Sequence, residues 1–298
     1  MMGRDRRFFS VIIPTYGRPA QLAKCLDALA LQKYPADRFE VIIIDDGGGG
    51  GLDAVVTPFR SRLSITLLEQ EHAGVAAGRN RGAAIARGEV LVFTDDDCQP
   101  APDWLSRLDE RFAENVDCIV GGRTVNALAD NFFSSASQLL ISYLFSYYNA
   151  NHKEASFLNG SNLAVPAEGF HRLGGFDRTF FLMGAEEREL CDRWRHSGRR
   201  MIYAPEVLTY HFHALTFRSF LRQHFNYGRG AFHFQGLYHE RTGKRVQVEP
   251  LSFYFGMARY PFLKGPSPQA FLISILLCLS QAANLAGFSR EKYWASKE

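Results

Sequence analysis

The chain has 298 residues, of which 46% are hydrophobic, and this is enough to bury one large core or two small ones. Its 34 basic and 31 acidic residues give a formal net charge of +3, so the composition gives no reason to expect nucleic acid as a partner. Five scattered cysteines without a CxxC pair argue against a disulfide framework or structural zinc site and favour a cytoplasmic setting. The first residues carry only a short apolar run, which is not a convincing signal peptide.

The first hundred residues alternate between short apolar runs and segments with helical periodicity. The apolar runs predict strands at 8–17, 39–46, 63–70 and 89–97, and the periodic segments predict helices at 18–34, 53–62 and 74–88. This alternation is typical of an α/β protein with a mostly parallel, Rossmann-like sheet and helices on both faces. Ligands of such sheets bind beyond the carboxyl ends of the strands.

Beyond Leu105 the order of the elements changes. We expect a helix at 102–114 with Asp103 as its N-cap, a strand at 117–125, an aromatic-rich helix at 132–150, a strand, turn and short helix within 156–177, and a helix at 186–198 ended by Gly198 and followed by a strand. Basic and aromatic residues become frequent after this helix begins.

An uncharged segment at 265–289 lies near the C-terminus, and its central part, 270–288, is mostly apolar. That length could just cross a bilayer. However, Gln281, Asn284 and Gly287 weaken its second half and two prolines precede it. We therefore favour a helix on a membrane surface or in a protein core over a membrane span.

Carboxylates directly follow two of the predicted strands. Asp45 and Asp46 end the second strand before five glycines, and Asp95, Asp96 and Asp97 end the fourth. Neighbouring carboxylates can share Mg²⁺ or Mn²⁺, which keep waters and substrate phosphates among their ligands. Asp46 could also accept hydrogen bonds from a nucleobase or a ribose. The alternative for each cluster is a solvated turn or a helix cap, but their convergence at one sheet edge favours a metal and diphosphate site.

Two other polar pairs leave alternatives open. Arg79 and Asn80 begin the alanine-rich helix, where they could contact a phosphate or the acidic loop, or form a surface ion pair. Glu186 and Glu187 precede the helix that ends at Gly198. They could complement the helix dipole, or one could serve as a general base because a neighbouring acid raises its pKa.

Seven motifs, in this order, resemble those of the family 2 glycosyltransferases, which are inverting enzymes of the GT-A fold. They are VIIPTYGR, VIIIDDG, HAGVAAGRNRGAAIARGEVLVFTDDD, PDWL, NGSNLAVP, LGGFD and EERELCDRWRHSG, and they extend over roughly residues 9–204. The resemblance implies a GT-A domain at 1–215, with a nucleotide-binding half at 8–105 and an acceptor half at 106–215. The remaining residues, 216–298, would form a helical extension that we consider for peripheral membrane contact.

The resemblance also implies roles for individual residues in binding the donor. Those expected at the nucleotide, ribose and diphosphate are Pro14, Thr15, Tyr16, Arg18, Asp45, Asp46, Arg79, Asn80, Asp95 and Asp96. Asp95 and Asp97 are the outer residues of a D-x-D motif that holds Mg²⁺ or Mn²⁺. His211 or His213 is a further candidate ligand of the metal.

The remaining implied roles concern the acceptor. Glu187 occupies the position of the general base that deprotonates the acceptor hydroxyl, and Glu186 is the alternative. The residues expected beside the acceptor or the donor sugar are Gly160, Ser161, Asn162 and Trp104.

The chain departs from the family pattern at three points. A Glu-Glu pair replaces the usual Glu-Asp, the glycine run 47–51 replaces a Gly-Ser start, and the Gln-x-x-Arg-Trp motif of processive members is absent. We therefore expect transfer of a single sugar from a nucleotide-diphospho-sugar to a glycan or lipid-linked acceptor, in the cytoplasm or at the cytoplasmic face of the membrane.

Three other classes compete with this interpretation. A signalling receiver domain predicts a much shorter chain, and a metal-dependent phosphatase predicts Thr or Val where Gln99 stands, so both are disfavoured. A catalytically inactive relative that binds nucleotide sugars as a scaffold remains the alternative.

Overall fold

The computed structural model describes residues 6–181, 184–246 and 248–297, apart from the side chain of Lys264. These residues form two compact units. The first unit draws on 1–127, 149–181 and 187–212, and the second draws on 128–148, 182–186 and 213–298. The units are defined by contacts in space, and the domain boundary at residue 215 stays a prediction.

The first unit is built around an eight-stranded sheet. Its strands are β1 Phe9–Thr15, β2 Phe39–Asp46, β3 Ile65–Gln70, β4 Val90–Thr94, β5 Cys98–Pro100, β6 Cys118–Asn126, β7 Asn162–Pro166 and β8 Arg200–His211. They lie in the order β3-β2-β1-β4-β7-β6-β8-β5. Strands β3, β2, β1 and β4 run parallel, which confirms the alternating pattern of the first hundred residues.

The other half of the sheet is mixed. Strand β7 is antiparallel to both of its neighbours, β4 and β6, and β5 is antiparallel to β8, whereas β6 and β8 are parallel. Pairing of β5 with β8 sets Cys98 opposite His211. The C-terminal end of β8 therefore reaches the same edge of the sheet as the segment that follows β4.

Ten α-helices accompany these strands in the described part of the chain. They are α1 Pro19–Ala30, α2 Leu52–Val56, α3 Val75–Ile85, α4 Trp104–Glu114, α5 Phe132–Tyr148, α6 Ala167–Arg172, α7 Glu186–His196, α8 Phe217–Thr242, α9 Leu251–Arg259 and α10 Pro268–Ala295. Short 3₁₀ turns lie at Ala36–Arg38, Thr57–Phe59, His152–Glu154, Arg178–Phe180 and Tyr260–Lys264.

Two local predictions were wrong. The single helix expected at 53–62 is α2 followed by a 3₁₀ turn, because Pro58 cannot continue the α-helical hydrogen bonds. Asp103 occupies the N-cap position of α4 without capping it. Its carboxylate instead accepts a hydrogen bond from Arg107 Nε at 3.0 Å, one turn into the helix. The predicted end of α7 at Gly198 agrees with the left-handed backbone there (φ +80°).

Close packing of α3 on the sheet positions the candidate site. Strands β1 and β2 are buried along their whole length, as expected for strands covered on both faces. A Cβ atom at Gly82 would lie 2.5 Å from Ile12 Cγ2, and one at Gly78 would lie 3.2 Å from Pro14 Cβ. These two glycines therefore allow α3 to lie directly on β1, and this brings the N-terminal turn of the helix, with Arg79, to the strand ends.

The second unit is helical. Its core contains side chains from α5, α8, α9 and α10, including Tyr143, Phe220, Phe253 and Leu277. Helices α8 and α10 cross at two glycines: a Cβ at Gly228 would lie 1.8 Å from the carbonyl oxygen of Asn284, and one at Gly287 would lie 1.9 Å from that of Phe225. The two backbones are thus in direct contact, which larger residues would prevent.

Helix α10 also carries a row of exposed apolar side chains, here called the apolar stripe. The stripe consists of Phe271, Leu272, Ile275, Leu279 and Leu285, each between 39% and 66% exposed. The helix is long and apolar enough to cross a membrane by length and composition, and only 28% of its most apolar window is buried. One side of α10 packs in the core of the second unit and the opposite side carries the stripe, so the core-packing and membrane-surface alternatives each account for one side of the helix.

The cysteines differ sharply in their surroundings. Cys25, Cys98, Cys118 and Cys191 are buried, and Cys278 on α10 is exposed. Burial raises the pKa of Cys118 to about 12 and raises the pKa of Cys25, Cys98 and Cys191 as well. The buried thiols are therefore protonated and unreactive near neutral pH.

Candidate active site

The carboxyl ends of β1, β2 and β4 bring several predicted polar residues to one edge of the sheet. Thr15 ends β1, Asp45 and Asp46 end β2, and Asp95 to Asp97 follow β4. β1 lies between the other two strands, and its Thr15 Oγ1 donates a 2.6 Å hydrogen bond to Asp96. The convergence expected from the sequence is thus present in the fold.

Arg18, just beyond β1, binds two of the three carboxylates after β4. Its Nε lies 3.1 Å and its Nη2 2.7 Å from the two carboxylate oxygens of Asp96, and its Nη1 lies 2.9 Å from Asp97 Oδ2. Burial raises the pKa of Asp96 to about 6, even though Arg18 and Thr15 act to lower it. Burial alone would lower the pKa of Arg18, but the three carboxylates outweigh burial and raise it.

Asp97 also faces a histidine. Its Oδ1 lies 3.2 Å from His211 Nε2, which the pairing of β5 with β8 brings to this edge. Burial would lower the pKa of His211, but the hydrogen bond and charge of Asp97 outweigh it and raise that pKa. Asp97, Cys98 and His211 offer ligand atoms that all lie within 4.8 Å of one another. Hard cations such as Mg²⁺ and Mn²⁺ prefer oxygen ligands to a thiol, which leaves the carboxylate and the imidazole as the candidate donors.

Asp95 is held by the second arginine of the site. Arg79 Nη2 donates to Asp95 Oδ1 at 2.9 Å, and the Arg79 side chain is almost fully buried. A Cβ atom at Gly160 would lie 2.8 Å from Arg79 Nη1, so only glycine leaves room for the guanidinium there. Arg79 also lies 5.4 Å from the ring centre of Phe176. Gly160, expected beside a sugar, thus packs on the arginine that fixes Asp95.

Asp46 uses its carboxylate to organise the segment between β3 and α3. It accepts hydrogen bonds from Gln70 Nε2 at 2.6 Å and from the backbone N–H groups of Ala73 and Gly74 at 2.9 and 2.8 Å. His72 Nδ1 lies 2.9 Å from Oδ2 of the Asp46 carboxylate. Four donors inside the protein thus occupy the carboxylate that the sequence suggested for a base or a ribose.

The sequence analysis gave no role to His72, which connects Asp46 to the exposed ring of Tyr16. Its ring stacks on that of Tyr16, with centres 4.4 Å apart and an interplanar angle of 26°. Phe181 approaches the same imidazole edge-on at 5.4 Å. Tyr16 is 53% exposed and so presents a flat face to solvent.

Asp45, the residue before Asp46, is buried and accepts a 2.8 Å hydrogen bond from the N–H of Gly48. This contact fixes the start of the glycine run.

Three residues proposed for sugars or phosphates make internal hydrogen bonds. The Trp104 indole N–H donates to Asn162 Oδ1 at 2.9 Å, and both side chains are buried. Asn162 Nδ2 donates in turn to the Val207 carbonyl at 2.9 Å. The side-chain amide of Asn80 bonds to the backbone N–H and C=O of Phe176. These contacts join α4 to β7 and β8 and hold the segment at Phe176 on α3. A direct role of these residues in binding sugar or phosphate stays a prediction.

The remaining site predictions divide between the two units. Glu187 belongs to the first unit and lies in the first turn of α7, partly exposed. Glu186 belongs to the second unit and is buried. His213 also belongs to the second unit, where its carbonyl accepts a hydrogen bond from Ser134.

The last two predicted site residues pack inside the first unit. Ser161 is buried, with its hydroxyl 3.5 Å from that of Thr124, and Pro14 packs beneath Gly78.

Comparison with known proteins identifies the class to which this fold and site belong. Residues 10–174, more than half of the chain, match the model of the glycosyl transferase family 2, and residues 142–215 match the N-terminal domain of galactosyltransferase. The chain belongs to glycosyl transferase family 2 and is a glycosyltransferase. This confirms the resemblance noted in its motifs.

Individual relatives agree with this assignment. The chain is 27% identical over 226 residues to the glycosyltransferase AglE of Haloferax volcanii, covering 75% of this chain and 72% of AglE. It is also 27% identical over 232 residues to the glucosyl-dolichyl phosphate glucuronosyltransferase of the same organism, covering 71% of this chain and 74% of the relative.

Solved structures show the same fold. The mannosyltransferase PcManGT from Pyrobaculum calidifontis, in complex with GDP-Man and Mn²⁺, has a TM-score of 0.66 at 21% identity, with 94% of this chain and 88% of that chain covered. Residues 1–349 of S. aureus TarS, in complex with UDP-GlcNAc, give a TM-score of 0.57 at 15% identity, with 98% and 92% covered. The expected GT-A architecture is thereby confirmed.

Proposed function

We propose that this glycosyltransferase moves one sugar from a nucleotide-diphospho-sugar to an acceptor hydroxyl with inversion of configuration. The observation that carries the proposal is the meeting of three carboxylates with Arg18, Arg79 and His211 at the carboxyl edge of the sheet. Ligands of open α/β sheets bind at this edge. Both PcManGT and TarS, which share the fold, have been captured with nucleotide sugars.

The base and the diphosphate would occupy different parts of this edge. The exposed face of Tyr16, backed by His72, offers a flat surface on which a nucleobase can stack. Asp46 supports that surface through its contact with His72. The diphosphate would lie toward Asp95, Asp97 and the arginines, where positive charge can balance it.

The donor set at Asp97 fits a divalent cation. Asp97 and His211 bring oxygen and nitrogen ligand atoms close together. Asp95, which precedes Asp97 by two residues, would add a carboxylate. Oxygen with one imidazole suits Mn²⁺, and oxygen alone suits Mg²⁺. Asp97, Asp95 and His211 would hold the ion, which would supply positive charge to the leaving diphosphate.

Glu187 would act as the base. The acceptor oxygen forms a bond to the anomeric carbon while the bond from that carbon to the diphosphate oxygen breaks. The electron pair of the broken bond leaves with the diphosphate, and the acceptor proton passes to Glu187. Glu187→Gln should bind the donor normally and transfer no sugar, and a variant that still transfers sugar would remove Glu187 as the base. Glu186→Gln tests the alternative base: it should retain transfer, and loss of transfer in Glu186→Gln alone would assign the base to Glu186.

We further propose a lipid-linked acceptor at the cytoplasmic face of a membrane. The relative named as a glucosyl-dolichyl phosphate glucuronosyltransferase supports this acceptor class. Beyond the apolar stripe, α10 ends in exposed Tyr293 and Trp294, with Lys297 Nζ at 4.4 and 5.7 Å from their ring centres. Aromatic and basic side chains beside an apolar helix face are typical of binding to anionic bilayer surfaces.

Flotation with phosphatidylglycerol-containing vesicles tests the membrane contact. The protein should float with these vesicles, and Phe271→Asp together with Leu272→Asp should abolish flotation while leaving nucleotide binding intact. The double substitution Arg290→Asp and Lys292→Asp, outside the stripe, serves as the charge control. They should weaken flotation less, and only at low salt. Equal flotation of the stripe variant would refute the contact.

A thermal-shift screen tests the donor site itself. UDP, GDP, CDP and dTDP are each added with and without Mn²⁺, to the wild type and to Asp97→Ala. Stabilisation by one nucleotide that requires Mn²⁺ and is lost in Asp97→Ala would support the site and identify the nucleotide. Binding without turnover of any nucleotide sugar would favour the inactive scaffold, and no binding under any condition would refute the donor site.

A further inference from the structure

Arg18 places a positive charge directly against the acidic edge of the sheet. Its guanidinium grips Asp96 with two nitrogens and Asp97 with a third, at 2.7 to 3.1 Å. Asp96 is fully buried and Asp97 nearly so, which makes unbalanced charge on either carboxylate costly. Arg18 therefore supplies the positive charge that balances Asp96 and Asp97, while Arg79 balances Asp95.

The contact with Asp97 conflicts with the binding of a metal ion. Arg18 Nη1 uses Oδ2 of Asp97, and His211 faces Oδ1, so both oxygens of this carboxylate already have partners. A divalent ion on Asp97 would bring a second concentration of positive charge to within a few ångströms of the guanidinium. Two cations that share one carboxylate in a partly buried setting repel each other strongly.

Arg18 is free to move in a way that Arg79 is not. Its side chain is 42% exposed, whereas that of Arg79 is 4% exposed and confined by Gly160. Arg18 follows Gly17, whose backbone lies in the left-handed region at φ +63°, and it precedes the first turn of α1. A long side chain at the rim of the site can turn outward without disturbing the sheet.

We propose that Arg18 is an internal counter-ion that competes with the divalent cation for Asp97 and turns to the donor diphosphate once the cation is bound. This inference rests on the proposed function, since it assigns an order of events at the same site. Arg18 would hold the acidic residues together before loading, and its guanidinium would then become a ligand of phosphate, for which its planar fork is suited. Cation and diphosphate would therefore bind cooperatively.

Arg18→Gln separates the two roles of the side chain. The change removes the charge and keeps a hydrogen-bonding amide on a shorter side chain. Titration of the free protein with Mn²⁺, followed by the electron paramagnetic resonance of unbound Mn²⁺, should show about tenfold tighter binding in the variant. UDP and GDP, tested at saturating Mn²⁺, should bind about tenfold more weakly, because a charged hydrogen-bond donor to phosphate is lost.

Arg107→Gln is the matched control. Arg107 is similarly exposed, at 44%, and it also contacts two carboxylates, those of Asp103 and Glu110, on the surface helix α4. Its replacement should alter neither Mn²⁺ nor nucleotide binding. If the wild type binds Mn²⁺ and nucleotide but Arg18→Gln binds Mn²⁺ equally or more weakly, the competition between Arg18 and the cation is overturned while the metal site stands. Failure of wild type and variant alike to bind Mn²⁺ would overturn the competition together with the metal site.

A second measurement follows the folded wild-type protein and uses Arg18→Gln only to assign one resonance. With ¹⁵N-arginine labelling, the Arg18 Nε–H resonance is the one that disappears in Arg18→Gln. Addition of diamagnetic Mg²⁺ should shift this resonance as the ion pair with Asp96 and Asp97 opens, and a nucleoside diphosphate should shift it again. Binding of Mg²⁺ detected by calorimetry, with an unchanged Arg18 resonance, would overturn the proposal.

Discussion

The glycine contact between α8 and α10 gives a prediction whose size can be worked out from the structure. In Gly228→Ala, the new Cβ would lie 1.8 Å from the Asn284 carbonyl oxygen, where real Cβ atoms hardly ever approach within 3.0 Å. The new Cβ is fixed to one backbone and the carbonyl oxygen belongs to the other, so no side chain can rotate away and the helices must separate. Overpacking of this kind costs about 1–3 kcal/mol or more, against a gain of roughly 0.5–1 kcal/mol from replacing glycine in a helix. Because an approach of 1.8 Å requires the upper end of that cost, we expect a net loss of about 2 kcal/mol.

The same helix offers a matched control for this prediction. Gly236 also lies in α8, and a Cβ there would meet no atom within 4 Å. Gly236→Ala should therefore stabilise the protein by roughly 0.5–1 kcal/mol. Urea unfolding, with hydrogen exchange of the α8 and α10 amides as a local probe, measures both changes. Gly287→Ala should resemble Gly228→Ala, and the two losses should not add, because one separation relieves both contacts. Equal stability of Gly228→Ala and Gly236→Ala would refute the close crossing.

Three further predictions concern single side chains. Burial beside aromatic rings lowers the pKa of His224 to about 4 in the folded state, so below the ordinary histidine pKa the unfolded state binds a proton that the folded state does not. The free energy of unfolding should therefore fall by about 2 kcal/mol between pH 7 and pH 5. His224→Phe should remove this part of the acid sensitivity in urea titrations. Trp104→Phe should cost about 1–3 kcal/mol in the same assay because Asn162 Oδ1 loses its buried donor, and an unchanged midpoint would contradict that role. Asp46→Asn and His72→Ala should each weaken nucleotide binding about tenfold, with the double variant no worse than either, as calorimetry can establish; normal binding by His72→Ala would contradict the support of Tyr16 by His72.

Local pattern predicted the nucleotide half of the fold well. Strands covered on both faces are mostly apolar, so β1, β2 and β4 appear as largely apolar runs, and their polar ends stand out. That contrast also predicted the meeting of Asp46 and Asp95 to Asp97 at one edge. The family resemblance added expected roles, which geometry alone does not test.

What the sequence did not indicate depends on contacts between distant residues. The antiparallel position of β7 beside β4 follows from the sheet as a whole and leaves no mark on the short run NLAVP. His72 lies 26 residues from its partner Asp46, and although it begins the HAGVAAGRNRG motif, nothing in that motif indicates a contact with Asp46. The involvement of Trp104 and Asn162 in the interior likewise appears only when residues 58 positions apart meet. A search for aromatic or imidazole side chains one to three residues before the alanine-rich helix would have found His72.

The cysteine distribution provides the natural protein with a single-site reporter. Four thiols are buried and protonated, so a maleimide dye should couple to Cys278 alone, without any substitution. Cys278 lies two helical turns beyond Phe271, on the exposed side of α10. An environment-sensitive fluorophore there would brighten and shift to the blue on entering lipid and stay unchanged beside water. The native chain can thus be titrated with vesicles, acceptor lipids or nucleotides in real time, and its orientation on a bilayer can be followed during turnover.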